Sequence, residues 1–145
     1  MDAAEFITIA GRVAGLGKAG ARTAVSRAYY GMFHIARGLL EEFTAESYGS
    51  GKSHNLVPQF IESAKHPAGY AAAKMLMDLH SERLKADYRL HDETAESLEF
   101  AKVSIETALQ GSRLLAQFRA DCLADLELVD RLKVGIARVK SIHRA

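Results

Sequence analysis

The sequence predicts an all-α protein, and three observations carry that expectation. Prolines occur only at Pro58 and Pro67, so little in the chain interrupts a helix. Long stretches are built from Ala, Leu, Glu, Lys and Arg, residues that favour helix. Before residue 120, no alternation of apolar and polar residues runs long enough for a strand. With 48% hydrophobic and 26% charged residues the composition excludes a disordered chain, and 145 residues suit one ordinary domain with a sizeable core.

The elements follow from periodicity. A first helix is expected over about residues 2–16, with Phe6, Ile9, Val13 and Leu16 on its inward stripe, broken by the three glycines of 15–20. A second, over about 21–43, is the most apolar. Val25, Tyr29, Met32, Ala36, Leu39/Leu40 and Phe43 fall at helical spacing, and Phe33 and Ile35 broaden the stripe, so this helix is expected to be central. After a Ser/Gly-rich loop at 44–53, a short third helix begins near Asn55 as N-cap, with Pro58 in its first turn. Lys65-His66-Pro67 breaks it, because the residue before proline is pushed out of helical geometry.

A fourth helix follows over about 69–90, with Leu76, Leu79, Arg83, Ala86/Asp87 and Leu90 on one face. Asp92, Glu93 and Glu96 suit the start of a fifth, running to about Phe118 with Leu98, Ala101, Ile105, Ala108/Leu109 and Leu115 inward. Beyond it, Val129, Leu132, Ile136, Val139 and Ile142 fit a helix, while Leu126/Leu128 and Leu132/Val134/Ile136 also alternate as a strand does. The expected architecture is an antiparallel up-down bundle of about five helices over residues 1–118, with a C-terminal extension at 119–145 read as helical.

Charge and cysteine content narrow the class. A net charge of +1 announces no nucleic-acid or membrane partner. After Asp130, however, the chain carries Arg131, Lys133, Arg138, Lys140 and Arg144 and no acid, a basic run able to touch RNA, DNA or an acidic partner, or simply to be solvated. Cys122 is the single cysteine and cannot form an internal disulfide, which fits a reducing cytoplasm. The residues after Met1 lack the positive region of a secretory signal, and no apolar run approaches the ~18 residues needed to cross a bilayer.

Several apparent motifs fail on their own chemistry. Gly49 to Ser53 resembles the end of a phosphate-binding loop, but that loop needs glycine where Glu46 stands, and a preceding strand. No Glu-x-x-His pair exists for a di-iron bundle, no zinc spacing among the six histidines and one cysteine, and no Gly-x-Ser-x-Gly elbow. No metal or cofactor is expected.

What remains are polar residues inside apolar helices. Arg27 and His34 lie two helical turns apart on one face, with Tyr30 and Gly31 between them. One reading is a cationic phosphate site beside an imidazole able to move protons near neutral pH. The other is an Arg27 paired with a carboxylate such as Asp87, and a packed His34. Arg83 and Asp87 are four apart, with Tyr88 adjacent. An intrahelical pair there contributes only ~0.2–0.5 kcal/mol, yet Arg83 is in line with Leu76 and Leu79 and so points inward. His91 suits the end of the fourth helix as a cation on its dipole. Lys52 and His54 flank the start of the third helix, where free amides favour an anion, or are a loop charge and a packed ring.

Three blocks carry a family resemblance. Ser26-Arg27-Ala28-Tyr29-Tyr30-Gly31-Met32-Phe33-His34-Ile35-Ala36-Arg37, then Gly51-Lys52-Ser53-His54 before a short helix, then Arg83-Leu84-Lys85-Ala86-Asp87-Tyr88, stand in the order and spacing of an uncharacterised group of HEPN domains (higher eukaryotes and prokaryotes nucleotide-binding). The resemblance covers about residues 5–118. It implies a helical bundle, usually a homodimer with polar residues near the dimer interface. Many such proteins are metal-independent ribonucleases of toxin–antitoxin or defence systems. Others bind nucleotides or a partner, frequently a minimal nucleotidyltransferase. The ribonuclease members carry Arg, four to six residues, then His. Arg27 and His34 satisfy that count, whereas on the later helix, where the motif usually lies, Arg83 is followed by Asp87-Tyr88, and His91 comes one residue too late.

The expectation is therefore a HEPN component of a toxin–antitoxin or defence module that binds or cleaves RNA without metal. Arg27, His34 and Arg83 are the catalytic candidates, and Tyr30, Lys52, His54, Asp87 and Tyr88 the nucleotide- or RNA-binding ones. The alternative is a non-catalytic module docking a nucleotidyltransferase.

Overall fold

The computed structural model describes residues 1–48 and 51–144. Gly49 and Ser50 of the phosphate-loop lookalike, and the side chain of Arg144 in the basic run, lie outside the described residues. The described chain is all-helical, without a strand. It contains α1 (Ala4–Val13), α2 (Gly17–Phe43), α3 (Ser53–Ser63), α4 (Pro67–Tyr88), α5 (Leu98–Ala124) and α6 (Leu126–Arg144), with a 3-10 turn at Glu93–Glu96. The segment that alternated like a strand is thus part of a helix.

α2 is the central element, in contact with α1, α3, α4, α5 and the 3-10 turn. It buries Val25, Tyr29, Met32, Phe33, Ala36, Leu39 and Leu40, as its broad apolar stripe predicts. Each large side chain fully withdrawn from water contributes about 1.5–3 kcal/mol. The glycine-rich break is shorter than expected. The chain turns at Gly17, whose φ is +77°, a conformation glycine adopts without strain. Gly20 already lies inside α2, where a Cβ would collide with the Val13 carbonyl of α1.

α1 is rotated relative to the expected stripe. Ile7, Ala10 and Ala14 are buried, while Ile9 is 40% and Leu16 70% exposed. Small residues explain the difference: Ala10 and Ala14 let the two backbones approach, and Ile7 occupies the space that a Cβ on Gly31 would need.

α3 begins at Ser53, so Asn55 is an exposed helical residue and not a cap. Pro58 sits beyond the first turn, where its missing amide leaves the His54 carbonyl without its helical donor. The break at Lys65-His66-Pro67 stands as expected. His66 caps α4, its Nδ1 accepting from the amides of Ala68 (3.2 Å) and Gly69 (3.3 Å), and its Nε2 lies 2.7 Å from Asp121. Leu76, Leu79, Arg83 and Ala86 are buried on α4. The helix ends at Tyr88, so Leu90 lies beyond it, 69% exposed, instead of continuing the inward face.

Asp92 caps the 3-10 turn, and Ser97 caps α5 by accepting from the Phe100 amide at 3.1 Å. α5 is continuous through Phe118 to Ala124, so the 118/119 division falls within one helix, and Cys122 is buried on it. α6 packs on α3 and α5 with Leu128, Leu132 and Ile136 inward, and its Gly135 abuts Ser63. No helix of the described chain is long and apolar enough to cross a membrane.

Two of the glycines of α2, Gly20 and Gly38, give opposite expectations. Gly38 has nothing within 4 Å of a Cβ, so Gly38→Ala should stabilise, by about 0.5–1 kcal/mol. Gly20→Ala must displace the α1 backbone and should lower the melting temperature. Thermal melts of both variants followed by circular dichroism check the contrast.

Candidate functional site

Two helices present matching polar stripes. On α2, Arg27, Tyr30 and His34 share the i, i+3, i+7 face. On α4, His80, Arg83 and Asp87 repeat the same spacing. Contact between α2 and α4 brings the stripes together, and α3 adds His54.

Tyr30 is the hub. Its hydroxyl accepts from Arg83 Nη1 at 3.3 Å. Its ring lies 5.1 Å from the Arg27 guanidinium, 6.1 Å from the His34 ring and 6.0 Å from the His54 ring. Phe6 of α1 closes the outer side, 5.4 Å from Arg27 and 5.2 Å from His34.

The two arginines differ. Arg83 is buried, and its guanidinium faces the rings of Tyr29, Tyr30 and Tyr88 at 5.4, 5.4 and 5.8 Å. Its Nη1 reaches Asp87 at a long 3.5 Å, and its buried Nε has no hydrogen-bond partner among the described residues. Arg27 is half-buried and, among the described residues, donates only to Ser26 Oγ, at 3.4 Å. Ser26 Oγ in turn donates to Asp87 Oδ2 at 3.2 Å. No carboxylate lies within 4 Å of Arg27 among the described residues, so the pairing of Arg27 with Asp87 is not formed.

Three histidines complete the cluster, and each is held toward its neutral form. Burial lowers the His34 pKa, and the cations Arg37 and Arg27 lower it further. Burial does the same to His54, followed by Arg83, His80 and His34. His80 is lowered by burial and then by Arg83. The His54 and His80 rings stack with centroids 5.5 Å apart and planes 3° from parallel, and Phe33 stacks on His54 at 4.8 Å.

Tyr29 pairs with His54. Its hydroxyl is 2.6 Å from His54 Nδ1, and burial pushes the phenol pKa upward, so the phenol keeps its proton. Donation by the phenol to Nδ1 puts the His54 proton on Nε2, and acceptance from Nδ1–H leaves Nε2 free to take a proton.

Of the residues singled out in the sequence, Arg27, Tyr30, His34, His54, Arg83, Asp87 and Tyr88 come together here. Tyr88 is 71% exposed at the rim. Lys52 is exposed at the start of α3, with no carboxylate within 4 Å among the described residues. His91 is exposed beyond the end of α4. The basic run after Asp130 is only partly free, because Lys140 pairs with Glu46.

Sequence reasoning missed His80, Tyr29 and Ser26 as members of the cluster. The i, i+3 relation of His80 to Arg83 was the one signal available for it. It also passed over Arg22, which donates to the carbonyls of Lys85, Ala86, Arg89, Leu90 and Asp92 at 2.9–3.3 Å and to Glu96 at 2.9 Å. Among the described residues, no three His, Cys, Asp or Glu side chains are placed to hold a metal ion.

Chemically, the arrangement offers a guanidinium lacking a carboxylate, a second, buried guanidinium with an unused donor, and neutral imidazoles beside them. Such a set attracts an anion and can accept a proton near neutral pH. Compared with family models, with curated proteins and with solved structures, the chain matches none.

The histidines set a pH window for stability. Unfolded, each binds its proton near pH 6.5; folded, each binds only at lower pH. Below about 6.5 the unfolded chain therefore carries more protons, and stability falls with pH until the folded values are passed. The lowered carboxyls of Glu42 and Glu96 act only below their ordinary 4.5, and those of Asp92 and Asp121 only below 3.8. Melting temperature should thus drop by several degrees from about pH 7.5 to about pH 5, and the drop should shrink in His54→Gln/His80→Gln; an unchanged drop would remove these histidines as its source.

The arginines should separate in stability. Arg83→Ala opens a buried space and strands the Tyr30 hydroxyl, at a cost of about 2–3 kcal/mol. Arg27→Ala should cost less than about 1 kcal/mol. Urea titrations of the two variants measure the difference.

Proposed function

We propose that this chain is a HEPN-type up-down helical bundle, a cytoplasmic homodimer acting in a two-gene toxin–antitoxin or defence module, and that its polar cluster binds and cleaves RNA without a metal ion. The observation that carries this reading is Arg27: a guanidinium with no carboxylate within 4 Å among the described residues, packed on Phe6 and Tyr30 beside a His34 whose pKa is lowered by burial and by neighbouring cations. The resemblance of the three sequence blocks supports the same conclusion.

In the proposed reaction Arg27 and Arg83, from one subunit or two, hold the scissile phosphate and the charge that grows on it. His34 removes the proton of the 2′-hydroxyl. The 2′-oxygen attacks phosphorus, the bond to the 5′-oxygen breaks, and that oxygen takes a proton from water, whose hydroxide then takes the proton back from His34, leaving a 2′,3′-cyclic phosphate and a 5′-hydroxyl. Lys52, His54 and Tyr88 border the path of the chain, and Asp87 holds Ser26 and Arg83 in place.

A second reading is favoured by the end of α4. Asp87 faces Arg83, and beside it Tyr88 and Leu90 are 71% and 69% exposed. There the cluster would be a polar frame, and the surface beside it would dock a minimal nucleotidyltransferase.

Cleavage of labelled RNA by purified protein in chelator tests the first reading. Wild type should cleave, with Arg27→Ala slower by about 100-fold or more and His34→Ala by about 100- to 10,000-fold. An Arg27→Ala protein that cleaves at the wild-type rate would refute the assignment. Co-purification with a nucleotidyltransferase, without cleavage, would favour the second reading.

A further inference from the structure

The rotation of α1 leaves an apolar edge uncovered beside the arginine site. Glu5, Thr8, Ile9 and Arg12 share one exposed side of α1, and with Met1, Phe6 and Arg27 they line an open groove of about 530 Å³. That volume is within the range of small-molecule sites. Ile9, expected in the core, stands 40% exposed on its wall.

Three charged groups line this groove without pairing. Neither Arg12 nor Arg27 has a carboxylate within 4 Å among the described residues, although Glu5 lines the same space. Among the described residues the Glu5 carboxylate accepts only a long 3.4 Å contact from the Asp2 amide. The Thr8 hydroxyl is turned back to the Ala4 carbonyl at 3.3 Å. Two cations and one anion thus face a shared space, each with unused hydrogen-bonding capacity.

We propose that this groove is the base subsite of the RNA site, that it takes the nucleobase attached to the phosphate on Arg27, and that it prefers guanine. The inference rests on the reading that Arg27 binds an RNA phosphate. Phe6 and Arg27 belong to both places, so a nucleotide held by its phosphate at Arg27 has its base within reach of the groove. Phe6 and Ile9 supply an apolar wall for the base, and Arg12 a second cation for the adjoining phosphate.

Glu5 supplies the discrimination. Guanine presents two adjacent N–H donors on its pairing edge, which a carboxylate accepts in parallel. Adenine and cytosine offer one amino group beside a ring nitrogen whose lone pair repels the carboxylate. Uracil offers one N–H flanked by two carbonyls.

Fluorescence polarisation with short fluorescein-labelled RNAs differing at one position and 2′-O-methylated so that they cannot be cleaved, competed by guanosine, adenosine, cytidine and uridine 3′-monophosphates, tests this. Guanine should bind tighter by about tenfold. Glu5→Gln should collapse the preference while retaining binding, Arg12→Ala should weaken all RNAs alike, and Arg27→Ala should abolish binding. Circular dichroism confirms that each variant is folded. Binding that needs Arg27 but ignores the base, or a guanine preference that survives Glu5→Gln, overturns the subsite and leaves the phosphate site standing. No binding of any RNA by wild type overturns both.

Discussion

A single guanidinium fixes the frame on which the polar cluster is built. Arg22, one turn before Ser26 on α2, gathers five backbone carbonyls from the end of α4 and the segment after it, together with the Glu96 carboxylate. Those carbonyls belong to the last turn of a helix and the chain leaving it, where the helical amides run out; Lys85 and Arg89 each also accept one backbone amide there, from Arg89 and Asp92. The planar fork of arginine serves several acceptors at once, and its charge complements the negative end of the α4 dipole. α2, α4 and the 3-10 turn before α5 are thereby held at one point. Arg83 and Asp87 sit at the end of α4 that Arg22 fastens, which sets them against Ser26 and Tyr30.

Within that frame, burial and charge reinforce one another. Arg83 is withdrawn from water among three tyrosine rings, and burial first, then the Arg83 field, lower the pKa of His54 and His80 beside it. Asp87 balances it only partly, across a long contact shared with Ser26. The excess positive charge is local: the whole chain carries +1. An anion bound between the arginines would offset that field and let the imidazoles take up protons more readily, so anion binding and proton uptake are linked through the same groups.

The sequence made some of this legible and concealed the rest for identifiable reasons. The burial of α2 followed from large side chains at helical spacing, and the break before α4 from Pro67. The inward direction of Arg83 followed from Leu76 and Leu79. The face of α1 was misjudged because its buried side is carried by Ala10 and Ala14, whose small side chains give a weak periodic signal yet permit the closest helix contact. Gly20 read as a breaker because a glycine demanded by packing and one demanded by a turn look alike in one dimension. His80 lies between Leu79 and Ser81 on α4, outside any polar pattern the sequence shows apart from its spacing to Arg83. Its place became visible only when α3 brought His54 onto it, a contact between residues 26 apart that no local pattern encodes.

The connectivity of the helices also divides the molecule by order of failure. α6 rests on α3 and α5, while α1, α4 and α5 gather on α2. When α6 lifts, Leu128, Leu132 and Ile136 leave the core, and α3 loses one of its two main supports while the α2 layer keeps its own. Local openings follow such boundaries. His54 lies on α3, the element that shares a face with α6, and Arg27, Tyr30 and His34 lie on α2, which α6 does not support. A lifting of α6 would therefore reach the imidazole stack before it reached Arg27.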